Sequence, residues 1–281
     1  MQWRGRRGSD NIEDRRRVSG ARAGGVGGIG VIAVVVIGYF LGVDLTPLLT
    51  DAGPSQSGAP VELTAEDRSA GEFVAVTLAD TETVWAKVFK EQLGQRYTPA
   101  VLVLFKDGTQ SACGGASEAT GPFYCPEDKK IYLDTSFFVT LEKRLGAKGD
   151  FAAAYVVAHE IGHHVQDELG ILAEANARRQ RVSEAKSNAI SVQVELQADC
   201  LAGIWAREAA DTLGTIQPGD LEEAVTAARQ IGDDTLQRNA GQRPMPHTFT
   251  HGTSEQRARW FATGLKSGKM SNCDTFAAGV L

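Results

Sequence analysis

The stretch Ala158-His159-Glu160-Ile161-Gly162-His163-His164-Val165 contains His-Glu-x-x-His, a pattern that makes chemical sense only on a helix. Residues four apart share a helix face, so His159 and His163 present their ring nitrogens to one point. Glu160 lies one position on, rotated by about 100°, which suits a base acting beside an ion better than a further ligand. The flanks agree. Asp150 is a suitable N-cap and Gly170 a suitable stop, while Phe151, Tyr155, Val156, Val165 and Leu169 supply the apolar contacts that bury such a helix. Gly162 lowers helix propensity, which is tolerable where another backbone comes close.

Zinc in a catalytic site takes three protein ligands and leaves one position open. The best third candidate is Glu195, in Val194-Glu195-Leu196-Gln197-Ala198-Asp199-Cys200. Glu195 and Asp199 share one helical face, and Leu196, Leu201, Ile204 and Trp205 fill the apolar side. One carboxylate then binds the metal while the other orients a motif histidine or pairs with an arginine. On spacing alone Asp199, His164 and His251 compete for the third position. His164 points about 100° away from His163 and reaches the same ion only with distortion.

The chain has 281 residues and a net charge of −6, so as a whole it offers no case for a nucleic-acid partner. Its charge is uneven, however. Arg4, Arg6, Arg7, Arg15, Arg16, Arg17 and Arg22 precede Gly24 to Val43, about twenty uncharged residues and the length of a bilayer crossing. Asp44 and Asp51 follow, so the positive-inside rule places the N-terminus in the cytoplasm. A cleaved signal peptide fits less well, because no Ala-x-Ala site follows the apolar run. The expected order is a basic cytoplasmic segment over 1–23, a transmembrane signal anchor over 24–43, a flexible Gly/Pro/Ser linker over 44–63 and a domain over 64–281. That order makes the lipid bilayer a partner. It puts the domain on the periplasmic or extracellular side of the cell (inner) membrane, held by a single pass.

The four cysteines fit that address. An even count outside the cytoplasm suggests two disulfides, and three pairings are open. Cys113 and Cys125 close a short loop, and Cys200 with Cys273 would pin the tail, so these are the expected pairs. A cysteine zinc site is the rival, but the chain has no Cys-x-x-Cys.

The remaining pattern predicts helices over Thr64 to Leu93, around Phe137 to Leu145 and from about Ala173 to Ala210. Two more are expected to open at Asp220 with Glu223 and at Thr253 with Gln256. Strands are expected at Ala100 to Phe105, ended by Asp107-Gly108, and at Lys130 to Asp134. The class is α+β, mostly helical, with a small β-sheet beside the motif helix.

His-Glu-x-x-His followed by Glu195-x-x-x-Asp199, then Thr250-His251-Gly252-Thr253-Ser254 with Arg257, resembles the gluzincin arrangement of membrane-associated metallopeptidases. Met1-Gln2-Trp3-Arg4-Gly5-Arg6-Arg7, Gly121-Pro122-Phe123-Tyr124-Cys125-Pro126 and Phe249-Thr250-His251-Gly252 look more specifically like the bacterial putative neutral zinc metallopeptidase family. The likeness covers nearly the whole chain. It implies a zincin-like domain with one zinc ion held by His159, His163 and Glu195, Glu160 as the catalytic base, and a peptide or protein substrate. By similarity His251 is the donor to the reaction's oxyanion, a surface loop histidine being the plainer reading; Tyr155 and Tyr132 are reserve donors, and Arg257 either holds Asp199 or is an exposed helix arginine. A zinc-stabilised binding or quality-control module with little turnover is the alternative function.

Overall fold

The computed structural model describes residues 1–17, 62–117, 120–143, 145–279 and 281. In chain order its elements are β1 (Ile12–Asp14), α1 (Ala65–Val88), β2 (Val101–Phe105), β3 (Gly108–Ser111), β4 (Gly114–Ser117), β5 (Phe123–Cys125), β6 (Lys130–Asp134), α2 (Phe137–Lys143), α3 (Asp150–Glu168), α4 (Ile171–Arg179), α5 (Glu184–Leu213), α6 (Asp220–Gln230), α7 (Asp233–Asn239) and α8 (Ser254–Ser267). Helices dominate and one small sheet supports them, so the α+β class is as expected.

β1, β2 and β6 are parallel, and β5 closes one edge antiparallel to β6, in the order β1-β2-β6-β5. β2 is apolar throughout, and β6 is apolar at its centre over 131–133, because both faces of these strands are covered. Leu102, Leu104, Ile131 and Leu133 point into the main core with the helices, while Val103, Phe105 and Tyr132 enter a second core with Ala116 of the β3–β4 hairpin. The Cys113–Cys125 bond ties that hairpin to β5, and Cys200–Cys273 ties the C-terminal tail to α5. Both expected pairings are present.

α3 packs against α1, α5, α6 and the β5–β6 side of the sheet, which explains why nearly every residue from Phe151 to Gly162 is buried. A Cβ at Gly162 would stand 2.9 Å from the Ala198 carbonyl oxygen. The missing side chain lets the α5 backbone approach α3 one turn from Glu195. α5 meets α8 in the same manner. A Cβ at Gly264 would come within 1.8 Å of the Cys200 carbonyl oxygen, and one at Gly203 within 2.1 Å of the Phe261 carbonyl oxygen.

Capping boxes open α1 and α8: Thr64 and Thr253 each accept from the third residue on, and Asp67 and Gln256 accept in return. Two other helix starts depart from expectation. Asp150 is the first residue of α3 rather than its N-cap, and its carboxylate accepts from Trp3 Nε1 at 2.8 Å. The expected partner of Asp220, Glu223, instead reaches across to accept from the Phe151 N–H at 3.1 Å, so it caps α3 from α6. The long helix expected over 173–210 is two helices, because Ser183 is extended at φ −66°, ψ 158° and breaks the run.

The N-terminal residues require a further correction. Residues 1–17 are not a separate basic segment but part of the domain. Trp3 is buried against Phe73, β1 extends the sheet, Arg6 pairs with Asp80, and Arg16 bonds both Asp14 and the Asp67 carbonyl. Net positive charge is the visible signal in this stretch, but Arg6 has an acidic partner and Arg16 a backbone carbonyl on α1, and Trp3 has an apolar seat. The expected anchor over 24–43 and most of the linker lie outside the described residues. Among the described residues no helix is long and apolar enough to cross a membrane.

Candidate metal centre

α3 and α5 run side by side where Gly162 permits, and this brings three donors to one point. His159, His163 and Glu195 each offer an atom within 4.8 Å of the others. His159 Nε2 lies 3.1 Å and His163 Nε2 3.5 Å from the Glu195 carboxylate. Both rings are turned by a bond at the opposite nitrogen. His159 Nδ1 donates to Asp199 at 2.9 Å, and His163 Nδ1 to the Gln166 side-chain oxygen at 2.8 Å. Each Nε2 is thereby aimed at the shared point. Two imidazoles and a carboxylate, with no fourth protein donor gathered among the described residues, have the chemistry of a three-ligand metal site with an open position.

The partner of His159 is itself held. Asp199 is wholly buried. Arg257 of α8 grips it with Nε at 2.9 Å and Nη2 at 3.0 Å, and the Tyr155 hydroxyl donates to the same carboxylate. Burial opposes the Asp199 charge, but Arg257 and His159 outweigh it and lower its pKa. Burial likewise opposes the charge on Glu195, yet His163 and the His159 bond hold its pKa well below the usual carboxylate range. Glu160 behaves in the opposite sense: burial raises its pKa, and the two histidines only partly offset the rise. Glu160 is therefore the one carboxylate of the group whose surroundings favour its taking up a proton.

His251 faces the same cleft from the loop before α8, with its side chain 44% exposed. Asp233 organises that loop. One oxygen of Asp233 accepts the backbone N–H groups of Thr250, His251 and Gly252 at 2.7–3.0 Å, and the other lies 3.2 Å from His251 Nδ1. Burial works against a charge on His251, but the Asp233 bond and the Glu195 charge outweigh it and raise its pKa.

The other sequence candidates are elsewhere or already engaged. His164 is turned away, with Nε2 on the Thr98 carbonyl at 2.7 Å and Nδ1 at 3.2 Å from the Tyr124 hydroxyl. Tyr132 donates to Asp128 in the second core, and the Tyr155 hydroxyl is enclosed by Asp199 and Arg257, so neither is a free donor. Asp233 and Gln166 were missed by sequence reasoning. The position of Gln166, three residues after His163 on the same face, was a usable signal. Asp233 gave none, because its partners lie about twenty residues away across a loop.

The group lines an open cleft of about 570 Å³. A larger cavity of about 970 Å³, between α4, α5 and the C-terminal tail, is not lined by His159, Glu160, His163 or Glu195.

Residues 1–276 match a family model described as "Putative neutral zinc metallopeptidase". The chain is similar to the uncharacterized protein YpfJ of Escherichia coli (strain K12), at 43% identity over 289 residues and 100% of each chain. It is also similar to the uncharacterized protein Rv2575 of Mycobacterium tuberculosis (strain H37Rv), at 40% identity over 222 residues, 75% of this chain and 74% of the other. No solved structure matches it.

Proposed function

The chain belongs to the putative neutral zinc metallopeptidase family, and from that premise we propose that it hydrolyses peptide bonds, with Glu160 as general base at a single zinc ion. The observation that carries this reading is the convergence of His159, His163 and Glu195 beside a buried carboxylate, Glu160, that is not one of the three gathered donors. Zinc held by those three residues supplies Lewis-acid polarisation and a more acidic water. Glu160 takes the proton of the attacking water and returns it to the leaving amine. His251, whose protonated form the Asp233 bond favours, donates to the oxygen on which negative charge develops. Arg257 acts through Asp199 to hold the His159 ring. The purified, zinc-loaded chain is expected to cleave members of a diverse peptide library. Stoichiometric zinc with no member cleaved would leave only a zinc-stabilised binding module.

In the metal-free protein, burial opposes the charge on His159, but Asp199 and Glu195 raise its pKa to about 10. Zinc has to displace that proton, so its affinity rises with pH: the dissociation constant is expected to fall about tenfold per unit between about pH 6 and 8. Titrations in buffers of different ionisation enthalpy would register one released proton. A pH-independent affinity would mean that His159 is not protonated in the free site.

We place the domain outside the cytoplasm at the membrane. Two disulfides support an oxidising compartment, and the apolar residues 24–43 support attachment to the bilayer. With residues 1–17 docked, the arm shares the compartment of the domain; a single crossing with residues 1–23 in the cytoplasm demands an undocked arm. An Asp10→Cys variant is therefore expected to react with a membrane-impermeant maleimide in intact cells or spheroplasts. Reaction only after permeabilisation would place the arm in the cytoplasm, and with the arm docked the domain as well.

A further inference from the structure

We infer that the cleft selects polypeptide segments whose side chains next to the scissile bond are uncharged and apolar. This inference names the substrate class for the peptidase reading above and rests on it. Among the described residues, the only charged or imidazole side chains lining the cleft are His159, Glu160, His163, Glu195, His251 and Arg257. All six are already spoken for. Three converge on the metal point, Glu160 is the base, His251 is tied to Asp233, and the Arg257 fork is closed on Asp199.

The remaining walls are apolar or neutral, and they come from elements on different sides of the metal group. Phe137 of α2, Leu145 and Val156 form one part, with Val156 one turn before Glu160 on α3. Leu172 of α4 contributes another part, and Ile231 and Leu236, at the end of α6 and on α7, a third. This absence of unpaired charge contrasts with a chain that is 23% charged and carries a net −6.

A substrate aspartate or lysine entering such walls loses hydration and finds no free counter-charge among the described residues. A leucine or phenylalanine in the same place removes apolar surface from water on both partners. The cleft, at about 570 Å³, is in the size range of sites that enclose ligand groups rather than graze them. Burial of one large apolar side chain corresponds to a preference of about 10- to 100-fold.

The test uses the full zinc-loaded chain and internally quenched peptides identical except for the residue after the scissile bond: Leu, Phe, Asp or Lys. The expected result is a kcat/KM about 10- to 100-fold higher for the Leu and Phe peptides. Dissociation constants of the same peptides for the Glu160→Gln protein should follow the same order. Leu236 is half-buried and outside the main core, so Leu236→Asp should retain zinc while narrowing the gap between the Lys and Leu peptides. Equal or faster cleavage of the Asp or Lys peptides overturns the inference and leaves the peptidase reading intact. Preferential binding of the Leu and Phe peptides by the Glu160→Gln protein, with none cleaved by the native chain, overturns the peptidase reading and supports the selectivity of the cleft.

Discussion

Glu160→Gln is expected to lower kcat for peptide hydrolysis by about 10²- to 10⁴-fold, the contribution of a positioned general base, while the protein keeps its zinc. The substitution preserves shape and a hydrogen-bonding group but removes the ability to take a proton. Glu160 is buried, and that burial raises its pKa toward the operating range of a base. It is also absent from the set of donors that converge with Glu195, so metal content should not depend on its charge. Zinc content by elemental analysis, circular dichroism and kcat on a quenched peptide separate these effects. Retained activity would move the base elsewhere; lost zinc would mean that Glu160 belongs to the ligand set.

Arg257→Met carries the largest expected cost in stability. Asp199 lies wholly inside the protein with its carboxylate between Arg257, His159 and Tyr155. Removing the guanidinium leaves a buried carboxylate without its main counter-charge, and breaking a buried pair in this way costs about 3–5 kcal/mol. The thermal midpoint should fall by roughly 10 °C. Zinc affinity should fall about 10- to 100-fold, because the residue orienting His159 is no longer held. Arg257→Lys should rescue little, since an ammonium cannot make the two-pronged contact through Nε and Nη2. Adding Asp199→Asn to Arg257→Met should restore part of the stability, the signature of coupled neighbours. If calorimetry shows the single variant within about 0.5 kcal/mol of the native chain, the level of an ordinary surface change, the network is not a structural tie.

Local patterns were legible where the residues that form an element also signal it. The four-residue spacing of His159 and His163 announces a helical face, Thr64 with Asp67 and Thr253 with Gln256 announce helix starts, and the apolar runs 101–105 and 131–133 announce covered strands. Elements whose support comes from far away were not legible. β1 and β5 have three residues each and exist because β2 and β6 offer partners. Glu223 reads as a cap for its own helix but lies where it caps α3, since proximity in space decides which N–H it meets. The arm before residue 18 reads as a positive flank because burial of Trp3 and the pairing of Arg6 and Arg16 depend on surfaces supplied by α1.

The sequence by itself determined the chemistry on offer: two imidazoles four residues apart, a carboxylate between them, and an acidic pair on another helix. Helical periodicity is a local property, so the chain's own spacing is enough to put His159 with His163 and Glu195 with Asp199. Which carboxylate meets the histidines was decided only by the tertiary structure. The close passage of α5 past Gly162 sets Glu195 against both Nε2 atoms, Arg257 draws Asp199 behind His159, and Asp233 brings His251 to the rim. Those choices depend on how helices distant in sequence cross, a geometry set by packing rather than by the spacing of residues along the chain.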